Sequence, residues 1–151
     1  MEKEYFEDFT VGEKILSPGR TITETDIVMW ASLTGDWHPI HTNKEYASKT
    51  PFGERIAHGM LVLGIGSVLG VRLGQYAMMP KSFIAFYGME SIRFVNPVRI
   101  GDTIHLEAEV MEMQEKDDKR GILTHKNTIK NHRGEDCCIY ISKSLCGRVP
   151  S

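Results

Sequence analysis

The chain has 151 residues, of which 41% are hydrophobic and 25% charged, with a formal net charge of −2. This length suits one domain, residues 1–151, around one core. The near-neutral balance argues against nucleic acid or an anionic membrane surface as a partner.

The opening MEKEYFEDF is acidic and aromatic, with no basic segment leading into an apolar run, so it does not read as a signal peptide. Thr23 with Asp26 three residues on forms a capping-box pattern, and Ile27, Trp30, Ala31 and Thr34 follow at helical spacing. Gly35 is a helix stop. Pro39 then disfavours helical geometry at His38, which leaves Asp36 to His41 irregular, and Asn43 caps a short helix through Lys49. After a loop with Pro51 and Gly53, the stretch Met60 to Val71 reads as a helix apolar nearly all round, which belongs inside a core. Its glycines lower helix propensity by about 1 kcal/mol each relative to alanine, and close packing against a sheet is the expected compensation. The apolar run to Leu73 is too short to span a membrane and is interrupted by Ser67 and Arg72.

The second half is strand-like. Phe83 to Phe94 is rich in aromatic and β-branched residues, and Ile104, Leu106, Ala108 and Val110 alternate with polar neighbours. The mixed charges from Glu115 to Arg120 read as a solvated turn. Ile122 to Lys130 and Cys137 to Leu145 are further strands, joined through the turn Asn131-His132-Arg133-Gly134. One buried helix followed by long strands with short turns predicts an α+β fold, an antiparallel sheet wrapped around the helix. His105, His125 and His132 are expected to face solvent, and the methionines to fill packing gaps. Cys137, Cys138 and Cys146 are odd in number with no C-x-x-C, which suits reduced thiols in a cytoplasmic protein.

Asp36 and His41 flank Pro39 on the irregular segment, so both can reach one cleft, where a carboxylate and an imidazole divide acid and base roles over one water. Spacing alone equally describes a turn carboxylate beside a surface histidine, which is the commoner arrangement. His58-Gly59 opens the apolar helix, where unpaired N–H groups can hold a developing oxyanion.

Together these segments resemble the MaoC-like dehydratases, the R-specific enoyl-CoA hydratases. The block Thr34-Gly35-Asp36-Trp37-His38-Pro39-Ile40-His41 looks like their signature; Ala47, Thr50-Pro51-Phe52, Ile56 to Leu61, Arg93 to Val98 and Gly101-Asp102 follow in matching order. The resemblance implies the hotdog fold and a hydro-lyase acting on a trans-2-enoyl thioester, with coenzyme A (CoA) as part of the substrate and no metal or other cofactor. It carries the catalytic pair to Asp36 and His41, in roles it leaves undivided, and a thioester-holding N–H to Gly59. Ser67 matches a family serine near the site and takes a supporting role. His38 departs from the asparagine of many relatives; it orients Asp36 or fills space. His58, Tyr46 and Phe52 are expected at the substrate, with Phe83 and Tyr87 further along the acyl pocket. Lys81, Arg93 and Arg99 are the cations available for CoA phosphates. Hotdog subunits usually pair, so a homodimer or larger homo-oligomer is expected. The rival readings are a hotdog thioesterase, disfavoured by the lack of Asp or Glu between Gly59 and Pro80, and a non-catalytic acyl-CoA-binding or regulatory protein.

Overall fold

The computed structural model describes residues 2–73 and 77–151. Two short strands, β1 (Lys14–Leu16) and β2 (Arg20–Thr21), precede four helices: α1 (Glu24–Thr34), α2 (Pro39–Thr42), α3 (Lys44–Ser48) and α4 (Gly59–Ser67). Four long strands follow: β3 (Phe83–Phe94), β4 (Thr103–Glu115), β5 (Arg120–Asn131) and β6 (Asp136–Gly147). The sheet runs in the order β1-β4-β5-β6-β3, with β2 on another stretch of β4, and every pairing is antiparallel.

Local chemistry sets the boundaries. Thr23 and Asp26 cap α1 reciprocally, the Asp26 carboxylate accepting from Thr23 N at 2.9 Å and the Thr23 hydroxyl from Asp26 N at 3.3 Å. Gly35 ends α1 in the left-handed region at φ 79°. Asn43 caps α3 by accepting from Tyr46 N at 3.0 Å. In the β5–β6 hairpin the Asn131 side chain accepts from Arg133 N and Glu135 N, at 3.0 and 3.1 Å.

Period-2 alternation decides which side chains meet α4. On β4, Ile104, Leu106, Ala108 and Val110 are all buried. On β5 and β6 the cross-strand pairs Ile129↔Cys138, Asn127↔Tyr140, His125↔Ser142 and Leu123↔Ser144 share that buried face. α4 crosses one end of it so closely that a Cβ on Gly66 would lie 2.4 Å from Ile129 Cδ1, and this contact is where the helical glycine is needed. Phe6 and Phe9, from a 3₁₀ turn at Phe6–Asp8, cover the other end with Val110, Leu123 and Cys146.

Three expectations are corrected. The stretch Asp36 to His41 is not irregular throughout, because Pro39 opens the short helix α2 from its first position. The central helix is nine residues long and gives way to a 3₁₀ turn at Leu69–Leu73 instead of continuing regularly to Val71. Gly64, Gly66 and Gly70, among β-branched neighbours, lack the propensity to sustain a longer α-helix. His125 is 1% exposed, because it shares the inward parity of Leu123 and Ile129. His132 is exposed and His105 half-buried.

All three cysteines are free and buried. Burial pushes the Cys137 and Cys138 thiols up to about 11 and that of Cys146 to about 12, so all remain protonated and unreactive. No described helix is long and apolar enough to cross a membrane.

Candidate active site

The site forms where the end of α1, the short α2 and the start of α4 meet. Past Gly35 the chain turns on itself, with Asp36 N donating to the Thr34 hydroxyl at 3.2 Å and His38 N to Asp36 Oδ1 at 3.2 Å. His38 is the N-cap of α2, its Nδ1 accepting from Ile40 N at 3.1 Å with Pro39 in the first helical position. His38 thus shapes the turn into α2. Its ring also lies edge-on to Tyr46 at 6.0 Å.

α2 presents His41 to the strap before α4. His41 Nδ1 lies 2.7 Å from the Ile56 carbonyl, and a carbonyl only accepts, so Nδ1 carries the proton. In the neutral ring Nε2 is therefore the bare acceptor. The strap is held in turn by Ile56 N donating to Ile40 O at 3.3 Å and Ala57 N to Val98 O at 2.7 Å. His58 repeats the device: its Nε2 donates to the Asp36 carbonyl at 2.9 Å, and its ring stacks on His41 at 3.8 Å. His58 is 2% exposed, so it is a buried support for Asp36 and His41.

One donor atom each from Asp36, His41 and His58 lies within 4.8 Å of the others. Among the described residues this is the set whose spacing suits a metal ion. Partial burial, the largest influence, holds the His41 pKa below its usual 6.5, and the His58 ring acts in the same direction. The Ile56 carbonyl and the Asp36 carboxylate oppose that shift. At neutral pH His41 is thus an uncharged imidazole with a bare Nε2.

Gly59 begins α4 directly after His58, and no side chain caps this end. The first N–H groups of the helix are therefore open to a ligand. The Phe94 ring lies 3.1 Å from where a Cβ on Gly59 would be, so a side chain here would press on the wall of the site. A cavity of about 360 Å³ opens at Gly59, lined also by Phe52, Ile56, Val62, Phe94 and Val98.

Other expected residues fall elsewhere. Ser67 sits at the far end of α4, its hydroxyl donating to Gly64 O at 3.2 Å, and lines a separate cavity with Phe83. Tyr87 is turned to the surface, where Lys116 Nζ donates to its hydroxyl at 2.8 Å. Arg99 is engaged by Glu54 at 2.8 Å and Lys81 by Glu2 at 3.1 Å, whereas Arg93 is exposed on β3 beside Phe94. The buried Asp102 has a structural role, accepting from Arg99 N and twice from Arg133. Sequence reasoning missed the polar residues of the second cavity, although the alternation of β5 and β6 points them inward.

The family described as MaoC like domain matches residues 7–131, and the chain belongs to that family. An (R)-specific enoyl-CoA hydratase of Rhodospirillum rubrum is 46% identical over 101 residues, 66% of this chain and 65% of the relative. A 3-hydroxybutyryl-CoA dehydratase of Methylorubrum extorquens is 42% identical over 111 residues, 72% of this chain and 65% of the relative. The chain thus spans 65% of the length of each of these curated relatives. A solved Archaeoglobus structure described as a monoamine oxidase regulatory protein superposes with a TM-score of 0.92 at 44% identity, over 98% of this chain and 97% of that one. A Mycobacterium tuberculosis protein described as a double hotdog fold superposes with a TM-score of 0.79 at 17% identity, a likeness in fold alone. The sheet and its central helix are accordingly a hotdog fold.

Replacing His58 by alanine uncovers one face of His41 and removes a neighbour that lowers its pKa. An NMR titration of His58→Ala is expected to move the His41 pKa upward toward 6.5; an unchanged or lower value would contradict the support role.

Proposed function

We propose that the chain, one hotdog domain over residues 1–151, catalyses the reversible addition of water to a trans-2-enoyl thioester, giving a (3R)-hydroxyacyl thioester. The observation that carries this reading is His41: its Nδ1–H is fixed on the Ile56 carbonyl, which leaves Nε2 bare beside Asp36 and within a stack that ends at Gly59. The names of the two hydro-lyase relatives supply the enoyl-CoA class and the R configuration.

A water between Asp36 and His41 donates one hydrogen to each. As its oxygen adds to C3, His41 Nε2 takes the proton, and the Asp36 carboxylate stabilises the imidazolium. Negative charge moves to the thioester oxygen, where the Gly59 N–H at the start of α4 holds it. The imidazolium then returns its proton to C2, so both new bonds form on one face of the double bond. This sequence uses no metal or redox group. This reading assigns a CoA phosphate to Arg93, which is exposed on β3 next to Phe94 of the cavity wall.

A thioesterase would need another nucleophile or base, and α4 with its following 3₁₀ turn carries no carboxylate. A regulatory role has the name of the Archaeoglobus neighbour in its favour. The assembled Asp36–His41 pair and the net charge of −2 favour catalysis over binding to nucleic acid.

Loss of enoyl absorbance from crotonyl-CoA tests the reading. Wild type should hydrate it, with an acid limb of kcat/KM centred below 6.5, since protonation of His41 removes the base. Asp36→Asn and His41→Ala should each lose at least about a thousandfold in kcat. Turnover of either variant near the wild-type rate would refute the assignment, and specific promoter binding without hydration would favour the regulatory reading.

Among the described residues no strand lies beside the outer edge of β3, and Ile84, Phe86, Tyr87, Ile92 and Phe94 are exposed along it. A long apolar edge of this kind calls for a partner, and two copies joined edge to edge by a two-fold axis satisfy both edges at once. Light scattering at micromolar concentration should therefore give a dimer or a multiple of it; a monomer would contradict the pairing.

A further inference from the structure

The second cavity, about 330 Å³, lies between the end of α4 and the sheet, on the stretch of the inner face that neither α4 nor Phe6 and Phe9 cover. Apolar side chains such as Val68, Met79, Phe83 and Phe86 form its walls, while His125, Tyr140, Ser142 and Ser144 supply polar groups. His125 and Tyr140 are each 1% exposed, and His125 Nε2 and the Tyr140 hydroxyl have no hydrogen-bond partner among the described residues. Neighbouring Asn127 donates to the Ser142 hydroxyl at 2.9 Å, which leaves the Ser142 proton free to donate in turn. Buried polar groups in folded proteins are nearly always paired, so unpaired ones lining a cavity point to a ligand that pairs them.

In the proposed two-fold pairing of β3 edges, this cavity would lie toward the Asp36–His41 site of the other copy. Phe94, at one end of β3, packs on Gly59, and Phe83, at the opposite end, lines the cavity. Antiparallel strands set opposite ends side by side. The acyl chain of a thioester held at Gly59 of one copy then runs toward the cavity of the other.

We propose that this cavity seats an oxygen-bearing acyl tail, so that the protein selects thioesters whose chain carries a neutral hydrogen-bonding group, a hydroxyl or a ketone, over plain alkyl chains. The proposal rests on the hydratase reading for the position of the thioester. Tyr140 and Ser142 can donate to the tail oxygen, and the His125 nitrogen completes the set. A plain alkyl tail would leave these groups buried and unpaired, the situation in which polar sites discriminate most strongly. A carboxylate tail is disfavoured. Among the described lining residues none is Lys or Arg, and burial holds the His125 pKa down to about 4, so the cavity offers no counter-charge.

Calorimetry of the wild-type protein with saturated acyl-CoA esters tests this without turnover. Hexanoyl-, octanoyl- and decanoyl-CoA are each compared with their terminal-hydroxyl and penultimate-ketone analogues. At one length or more the oxygenated ester should bind about tenfold tighter than the plain one. Tyr140→Phe and His125→Leu, with melting curves confirming that each folds, should bring that ratio toward one. Equal or tighter binding of the plain ester at every length by wild type, or an unchanged ratio in both variants, would overturn the proposal. Crotonyl-CoA hydration assayed alongside separates the two claims. Hydration without selectivity refutes the polar tail alone; selectivity with no hydration of either crotonyl-CoA or the trans-2-enoyl form of the preferred ester supports the cavity and refutes the hydratase reading.

Discussion

The site depends on two imidazole rings that spend one nitrogen each on a backbone carbonyl. His41 donates to Ile56 and His58 to Asp36, and the rings stack face to face. One bond ties α2, and the other the α1–α2 connection, to the strap entering α4, so the segments that carry Asp36 and His41 are fixed by histidines of the site itself. A neutral imidazole pinned through one nitrogen has only one orientation and one free lone pair. That constraint gives a half-buried histidine five residues from an aspartate the one free lone pair that the proposed base role requires.

The rest of the fold serves this junction. α4 is short and glycine-rich, and Gly66 lets it press on Ile129 while its uncapped start stays beside the histidines. The strap is also tied to the far side of the site, through Ala57 N on Val98 O and the Ile56–Arg99 bridge. Asp102 orders the turn after it through Arg99 and Arg133. The end of the inner face left uncovered by α4 becomes a cavity with a partly polar lining. Ordered helix ends, a tied strap and an unfilled inner face are thus three consequences of laying a short helix across a long sheet.

Much of this was legible in the chain. Thr23, Asp26, Gly35 and Asn43 announce helix ends through local hydrogen bonds, and each does so where its spacing indicates. The β4 alternation and the β5–β6 turn are equally local signals. The Asp36–His41 proximity was readable only with the family resemblance, because the bond that orients His41 spans fifteen residues to a backbone carbonyl that no side-chain pattern marks. The bond from His58 to the Asp36 carbonyl was illegible for the same reason. His125 was assigned to solvent because a histidine among Thr, Lys and Asn looks polar; its parity with Leu123 and Ile129 was the better guide. Tyr87 illustrates the converse, since the bulges of β3 shift its register and turn it outward.

The account stands or falls on the protonation of one ring. Nitrogen-15 NMR of the His41 imidazole at neutral pH reads it directly. The proton should reside on Nδ1, with Nε2 bare and the ring uncharged. A ring protonated on Nε2, or doubly protonated at neutral pH, would leave no base facing the water and would contradict the mechanism.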